Sequence, residues 1–321
     1  MYLRNKMMIG IMCLCTTAAL LSGCGSSGES KSKDIVKTEE TAGSSVSASE
    51  ENTDSADESN AEESAPATES DSNKDITIEE QVLVEQDGIK ITALEYVRDN
   101  IWGDGIKVLI ENESEKDVTV GCDALIVNDY MIHDLFVSEI AAGKKSNATI
   151  YLSSSELKAA GIDTVGRIEI YFHAYDADSY EGIFTTDCIE IETSAIDSMD
   201  TTVNDEGTEL YNEGGVRIVG KTVDENSFWG TAILLYIENE SGRNVGISVD
   251  DMSINGFMLT PYFSTTVYDG KKAVDDITIM SSELEENGIT SIEEVELKFH
   301  IYDNSSYETI ADSEPITFSA Q

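Results

Sequence analysis

Basic side chains are scarce in this 321-residue chain: 20 Lys and Arg stand against 63 Asp and Glu, a formal net charge of −43. Nucleic-acid affinity rests on neutralising phosphates with Lys and Arg, so no nucleic-acid partner is expected. Docking on anionic headgroups through a basic patch is excluded on the same ground. Solubility is the ordinary reason for such charge, and cations or basic proteins stay open as partners. Histidine is scarcer still, at three residues. A metal centre needs three or four ligands at close spacing, so neither metal nor cofactor is expected. There is no nucleophile elbow, paired-carboxylate signature or glycine-rich nucleotide fingerprint, and the chain does not read as an enzyme.

Long apolar runs are missing as well. The longest, Met7 to Leu21, follows Arg4 and Lys6 and ends at Ser22-Gly23-Cys24. A basic start, an apolar stretch of this length and a small-residue cleavage site make residues 1–23 a secretory signal, too short to span a bilayer. Leu21-Ser22-Gly23-Cys24 resembles a bacterial lipobox. The resemblance implies cleavage before Cys24 and diacylglyceryl attachment to its sulfur. The expected address is the cell membrane, lipid-anchored and facing outward, with the bilayer as a partner through Cys24.

Between Val46 and Ile76 no Leu, Ile, Val, Met or aromatic residue occurs. Such a segment cannot bury enough apolar surface to offset its ordering entropy, so residues 24–76 are predicted to be a disordered acidic linker. Its root-mean-square reach as a coil would be about 40 Å. Two readings stand: a spacer, or a tail for basic partners. Residues 25–76 carry only −10 of the charge, so most of it sits on residues 77–321.

Residues 77–321 contain one pattern twice. Ile110-Glu111-Asn112-Glu113-Ser114 returns as Ile237-Glu238-Asn239-Glu240-Ser241, 127 residues on. The same offset carries Trp102-Gly103 onto Trp229-Gly230, Gly143-Lys144-Lys145 onto Gly270-Lys271-Lys272, and Ser154-Ser155-Glu156-Leu157 onto Ser281-Ser282-Glu283-Leu284. It also carries Phe172-His173 onto Phe299-His300 and Tyr175-Asp176 onto Tyr302-Asp303, with no gap anywhere. A register held this long marks one module duplicated in tandem. The boundaries read as 77–196 for module 1, 197–206 for a connector, and 207–321 for module 2. The polar connector predicts two beads with limited mutual contact.

Period-two patterning makes the modules β. Ile168, Ile170, Phe172 and Ala174 alternate against Glu169, Tyr171, His173 and Tyr175, and Val295, Leu297, Phe299 and Ile301 repeat the pattern. Asn255-Gly256 is the preferred pair for a type I′ hairpin, and Asn128-Asp129 takes its place in module 1. Ser153 to Glu156 suggests a capping box, with Gly161 at the left-handed C-terminal position of a short helix. The predicted fold class is all-β: two tandem immunoglobulin-like antiparallel sandwiches, each with one short helix, behind a disordered linker. Trp-Gly, Ile-Glu-Asn-Glu-Ser, Gly-Lys-Lys, Ser-Ser-Glu-Leu and Phe-His-x-Tyr-Asp together resemble the modules of clostridial-type Gram-positive surface lipoproteins. That resemblance implies an Ig-like fold and an extracellular address. It supplies no catalytic residues.

Cys122 and Cys188 are the cysteines left in the modules, and their counterparts are Val249 and Pro315, so no disulfide belongs to the shared design. Cys122 continues an inward alternation while Cys188 is out of phase; a bridge and a buried unbridged Cys122 are both open. The candidate binding surface comprises Trp102, Trp229, His173, His300, Tyr175, Tyr302, Tyr180 and Tyr307, all kept in both copies. Aromatics near strand ends anchor a core or form a peptide- or glycan-binding face, and either role is available to these. The histidines read as sheet-surface residues bonded to a neighbour. Asp176, Asp178 and Glu181 invite a calcium reading, but Asp178 becomes Ser305 in module 2. Two functions of different class emerge: a non-catalytic adhesion or envelope-binding lipoprotein, or a small-ligand or cation carrier beside a transporter. A concave pocket lined by residues kept in both copies would favour the carrier; a flat aromatic patch would favour the first.

Overall fold

A computed structural model describes residues 32–37, 76–99, 103–133, 136–225, 227 and 229–320. The predicted signal, Cys24, most of the predicted linker and Trp102 lie outside the described residues. The described residues begin with β1 (Ser32–Lys37). Module 1 then builds one sheet from β2 (Gln81–Gln86), β3 (Ile89–Asp99), β4 (Gly103–Asn112) and β8 (Lys145–Tyr151). Its second sheet centres on β5 (Val118–Val127) and β9 (Arg167–Asp176), with β6 (Tyr130–Ile132), β7 (Val137–Ile140), β10 (Gly182–Thr185) and β11 (Ile189–Glu192) alongside.

Module 2 repeats the plan. One face is β12 (Thr208–Glu213), β13 (Val216–Asp224), β14 (Gly230–Asn239) and β18 (Lys271–Met280). The other is β15 (Val245–Ile254), β16 (Phe257–Met258), β17 (Ser264–Val267), β19 (Glu294–Asp303), β20 (Thr309–Asp312) and β21 (Ile316–Ala320). The helices α1 (Ser154–Ala159) and α2 (Ser281–Glu286) come after β8 and β18. Alternation decides the faces: Ile168, Ile170 and Phe172 of β9 are fully buried, as are Val295, Leu297 and Phe299 of β19. Burying each such side chain stabilises by about 1.5–3 kcal/mol. The fold is the all-β, Ig-like double sandwich that the patterning predicts.

The repeated Ile-Glu-Asn-Glu-Ser has a physical cause. Asn112 and Asn239 end β4 and β14 and are 1% and 0% exposed. Asn112 Nδ2 donates to Lys116 O at 2.8 Å and Ile140 O at 2.9 Å, and its Oδ1 accepts Ser114 N at 3.0 Å. Asn239 makes the same bonds to Arg243 O, Val267 O and Ser241 N, at 2.8, 2.8 and 3.0 Å. A buried amide must be satisfied, and this one is satisfied by tying the turn after its strand to the next edge strand.

Three expectations need correction. The linker is not wholly outside the fold: β1 pairs with β13 and with β21, and Ile35 is 4% exposed. The apolar-free stretch begins only after Val46, and the neighbouring Ile35-Val36 supplies the buried side chain. The capping boxes do not form either. Neither helix has a side-chain cap bond; Glu156 instead accepts His133 N at 2.7 Å, and Glu283 accepts the corresponding Thr260 N at 3.4 Å.

Nor are the modules separate beads. β6 pairs in parallel with β18, Tyr130 beside Lys272 and Met131 beside Ala273. Val219, Tyr236 and Val274 of module 2 join the core of module 1. Lys271 Nζ reaches across to Asp129 Oδ1 at 2.9 Å and Glu169 Oε1 at 2.7 Å, while Arg167 Nη2 also bonds Asp129 at 2.7 Å. The counterparts of Asp129 and Arg167 are Gly256 and Glu294, so the junction uses residues that differ between copies.

Lys271 is 16% exposed and Glu169 8%, whereas the duplicate lysine, Lys144, is exposed. Removing one partner of this half-buried ion pair strands the other charge, so Lys271→Ala is expected to cost about 1–3 kcal/mol in urea unfolding. Lys144→Ala should stay within about 0.5 kcal/mol. Equal losses would refute the junction's asymmetry.

Candidate binding surface

β9 and β19 turn His173 and Tyr175, and His300 and Tyr302, away from the core because their neighbours Phe172, Ala174, Phe299 and Ile301 fill it. Each pair continues into a third ring. His173 stacks on Tyr175 with centroids 5.9 Å apart, and Tyr175 on Tyr180 at 6.0 Å. His300, Tyr302 and Tyr307 repeat the ladder at 5.6 and 6.1 Å. The outer tyrosines are 78% and 76% exposed.

The loop that delivers them is a tight, strained turn. Asp176 Oδ1 accepts Ser179 N at 2.9 Å, and Tyr180 N donates to Asp176 O at 2.9 Å. Asp303 Oδ1 accepts Ser306 N at 3.0 Å, and Tyr307 N donates to Asp303 O at 2.8 Å. The closure forces φ to +58° at Tyr180 and +59° at Tyr307. A bulky side chain in the left-handed region costs about 1–3 kcal/mol, which glycine or asparagine would avoid. Both copies keep tyrosine there. Lys116 hydrogen-bonds Asp176 and, with the Ser179 N–H, holds its carboxyl far below the usual carboxylate range. The Ser306 and Ser305 N–H groups lower Asp303.

Sequence reasoning missed the groups under the rings. His173 Nδ1 lies 2.8 Å from Asp123 Oδ1, and His300 Nδ1 lies 2.6 Å from Asp312 Oδ1. The carboxylate comes from β5 in one module and β20 in the other, so the 127-residue offset could not reveal it. A Cβ at Gly121 would meet His173 Nε2 at 2.6 Å, and one at Gly246 would meet Tyr302 Cζ at 2.2 Å. These glycines let the rings lie flat on the sheet. Beside the module 1 ladder is a groove of about 570 Å³ lined by Tyr175, Tyr180, Gly182, Ile183, Phe184 and Thr185. The counterparts of the last four are Thr309, Ile310, Ala311 and Asp312, so the rings are duplicated but most of the groove wall is not.

The remaining candidates fall elsewhere. Trp229 is 61% exposed, so the core-anchor reading fails for it. It precedes β14 at the end opposite Asn239, while the ladder's turn packs by the Asn239 end through Asn304 N to Asn244 O at 3.0 Å. Cys122 and Cys188 form no disulfide; Cys122 packs at the rim of the core, and the exposed Cys188 lies 3.5 Å from Glu169 Oε2. Among the described residues no three His, Cys, Asp or Glu side chains group as a metal site.

The third histidine has a role at the module junction. His133 Nδ1 lies 3.2 Å from Glu156 Oε1 and its Nε2 3.8 Å from Asp275 Oδ2 of module 2, in a cleft of about 240 Å³. The Glu156 hydrogen bond first, then the charges of Asp275 and Asp276, raise the imidazole to about 9. Its folded pKa thus exceeds the unfolded value of about 6.5. The stabilising charge is fully present below about pH 6.5 and is lost as pH rises through about 9. The melting temperature should therefore fall over that window, and His133→Gln should flatten the fall. An unchanged slope in His133→Gln would remove His133 from the account; the side chain is largely exposed, so solvent screening keeps the effect modest.

Comparison with known proteins leaves the chain without a family: no family model matches, and no curated protein matches. Among solved structures it is similar to the Salmonella enterica SafA pilin in complex with the SafB chaperone, at 11% identity over 74% of this chain and 98% of that one, TM-score 0.23. A protein of unknown function from Porphyromonas gingivalis W83 matches at 10% identity over 68% of this chain and 89% of that one, TM-score 0.20. At these scores neither carries fold or function to this chain.

Proposed function

We propose that this is a non-catalytic surface lipoprotein, attached to the outer face of the cell membrane through Cys24, that holds a macromolecular partner on its two histidine–tyrosine ladders. The observation that carries the reading is the pair of exposed tyrosines kept at positive φ in both modules. Stability alone selects against a tyrosine there, so what retains it acts on the exposed ring. Stacked rings offer a large, rigid apolar face at low entropic cost, suited to a wall glycan or a protein segment. The secretory start and lipobox-like Leu21-Ser22-Gly23-Cys24 support the address. The acidic surface favours neutral or basic partners.

The carrier reading has less support. It calls for a concave site common to both copies, whereas the duplicated feature is the projecting aromatic face and the groove wall changes from Phe184 and Thr185 to Ala311 and Asp312.

The test is pull-down on purified cell walls and on envelope proteins, comparing the parent with Tyr180→Ala/Tyr307→Ala. The double variant should lose binding at least roughly tenfold while its melting temperature holds, because the lost rings are exposed and alanine keeps the Cβ on which the backbone strain rests. Binding that survives in the variant refutes the ladders as the contact. A large drop in melting temperature assigns the tyrosines to stability instead.

A further inference from the structure

The leading segment of module 1 completes its own sandwich. Ile78 forms a bridge with Thr193, Ser194 N donates to Thr77 O at 2.8 Å, and Ile78 packs on the core of that module. Shifted by 127 residues, Ile78 and Thr193 become Asp205 and Ala320. Ala320 has a different partner, Ile35 of β1. Asp205 cannot take the apolar seat. It bonds Arg217 Nη1 at 2.8 Å, while Lys221 Nζ holds Asn204 O at 2.9 Å and Glu206 O at 3.1 Å. The connector is thereby drawn aside, and the edge it would cover is left for another strand.

The seat is shaped for the strand that fills it. Ser32, Lys33 and Asp34 pair with Asp224, Val223 and Thr222 of β13; Ile35, Val36 and Lys37 then cross to Ala320, Ser319 and Phe318 of β21. Ile35 enters the core of module 2 with Leu210, Ile218 and Phe318. A Cβ on Gly220 would meet Ile35 Cδ1 at 2.9 Å, whereas module 1 has Ala93 at that place. Charge agrees. Lys33 and Lys37 are the two basic residues of β1, which pairs with a module carrying 21 acidic and 6 basic residues over 207–321. Lys33 Nζ reaches Glu225 Oε1 at 2.9 Å.

We propose that the gap between the β13 and β21 edges is a strand-acceptor site, and that its resident donor is this chain's own residues 32–37, supplied from upstream of module 1.

The experiment uses the chain from Gly25 to Gln321, so it is indifferent to lipidation. Val36 and Ser319 are register partners. In a background with Cys122→Ala and Cys188→Ser, Val36→Cys/Ser319→Cys should oxidise to a disulfide within one chain, and Ile35→Asp should reduce trapping at least roughly tenfold by burying a charge. A disulfide-linked dimer would assign the site to a second copy and overturn the in-chain donor. Absence of the bridge, or trapping indifferent to Ile35→Asp, would overturn the seat. The cysteine-unmodified chain gives an independent check: trypsin should cut at Lys33 slowly, and at least roughly tenfold faster after Ile35→Asp. Equal rates in the two chains would count against the proposal.

Discussion

The exposed end of each module depends on one buried amide. Asn112 ties the turn after β4 to β7, and that turn in turn holds the ladder: Lys116 Nζ bonds Asp176 Oδ2 at 2.8 Å and Asp117 O accepts Ala177 N at 3.0 Å. Asp176 then folds the loop that projects Tyr180. In module 2 Asn239 fixes Arg243, whose Nη1 lies 3.9 Å from Asp303 Oδ2, and Asn244 O receives Asn304 N. A polar group with almost no exposed surface thus positions an aromatic ring that is mostly exposed. The cost of leaving a buried amide unpaired, about 1–3 kcal/mol, makes the first geometry rigid enough to impose the second.

Duplication supplied two equal modules, and the structure uses them unequally. The junction recruits Asp129 and Arg167 from module 1 and Lys271 from module 2, so a lysine shared by both copies is half-buried in one and solvated in the other. The edge that Ile78 closes in module 1 is closed by Ile35 in module 2. Each asymmetry arises from a few substitutions at equivalent positions: Asp129 against Gly256, Ile78 against Asp205, His133 against Thr260. The result is two aromatic faces carried by modules whose sheets are joined.

Much of this was legible in the residues. Period-two alternation placed the core strands, and the Asn255-Gly256 hairpin and the helix-ending Gly161 adopt the positive φ their residues call for. The ladder residues were legible as a duplicated set, whereas the exposure of Tyr180 and Tyr307 was not, because either role was open to them. The features that escaped lie in three dimensions. Glu156 has the spacing of a capping box, yet the N–H of His133, just past β6, claims it. Asp123 and Asp312 meet equivalent histidines from inequivalent strands. β1 escaped because the lack of large apolar residues over 47–75 was extended across Ile35-Val36, where it does not hold. The joined sheets escaped because a repeat reports what copies share, and a junction is made where they differ.

The measurement that bears most directly on this account is amide hydrogen exchange at Tyr180 and Tyr307 in Asn112→Ala and, separately, Asn239→Ala. Each variant carries its unaltered module as an internal control. The account predicts that Asn112→Ala sharply lowers protection at Tyr180, whose N–H bonds Asp176 O, and leaves Tyr307 as it was, with the reverse for Asn239→Ala. Protection at Tyr180 that survives the loss of Asn112, with the β9 core still folded, would show that the ladder does not depend on the buried amide and would contradict the account.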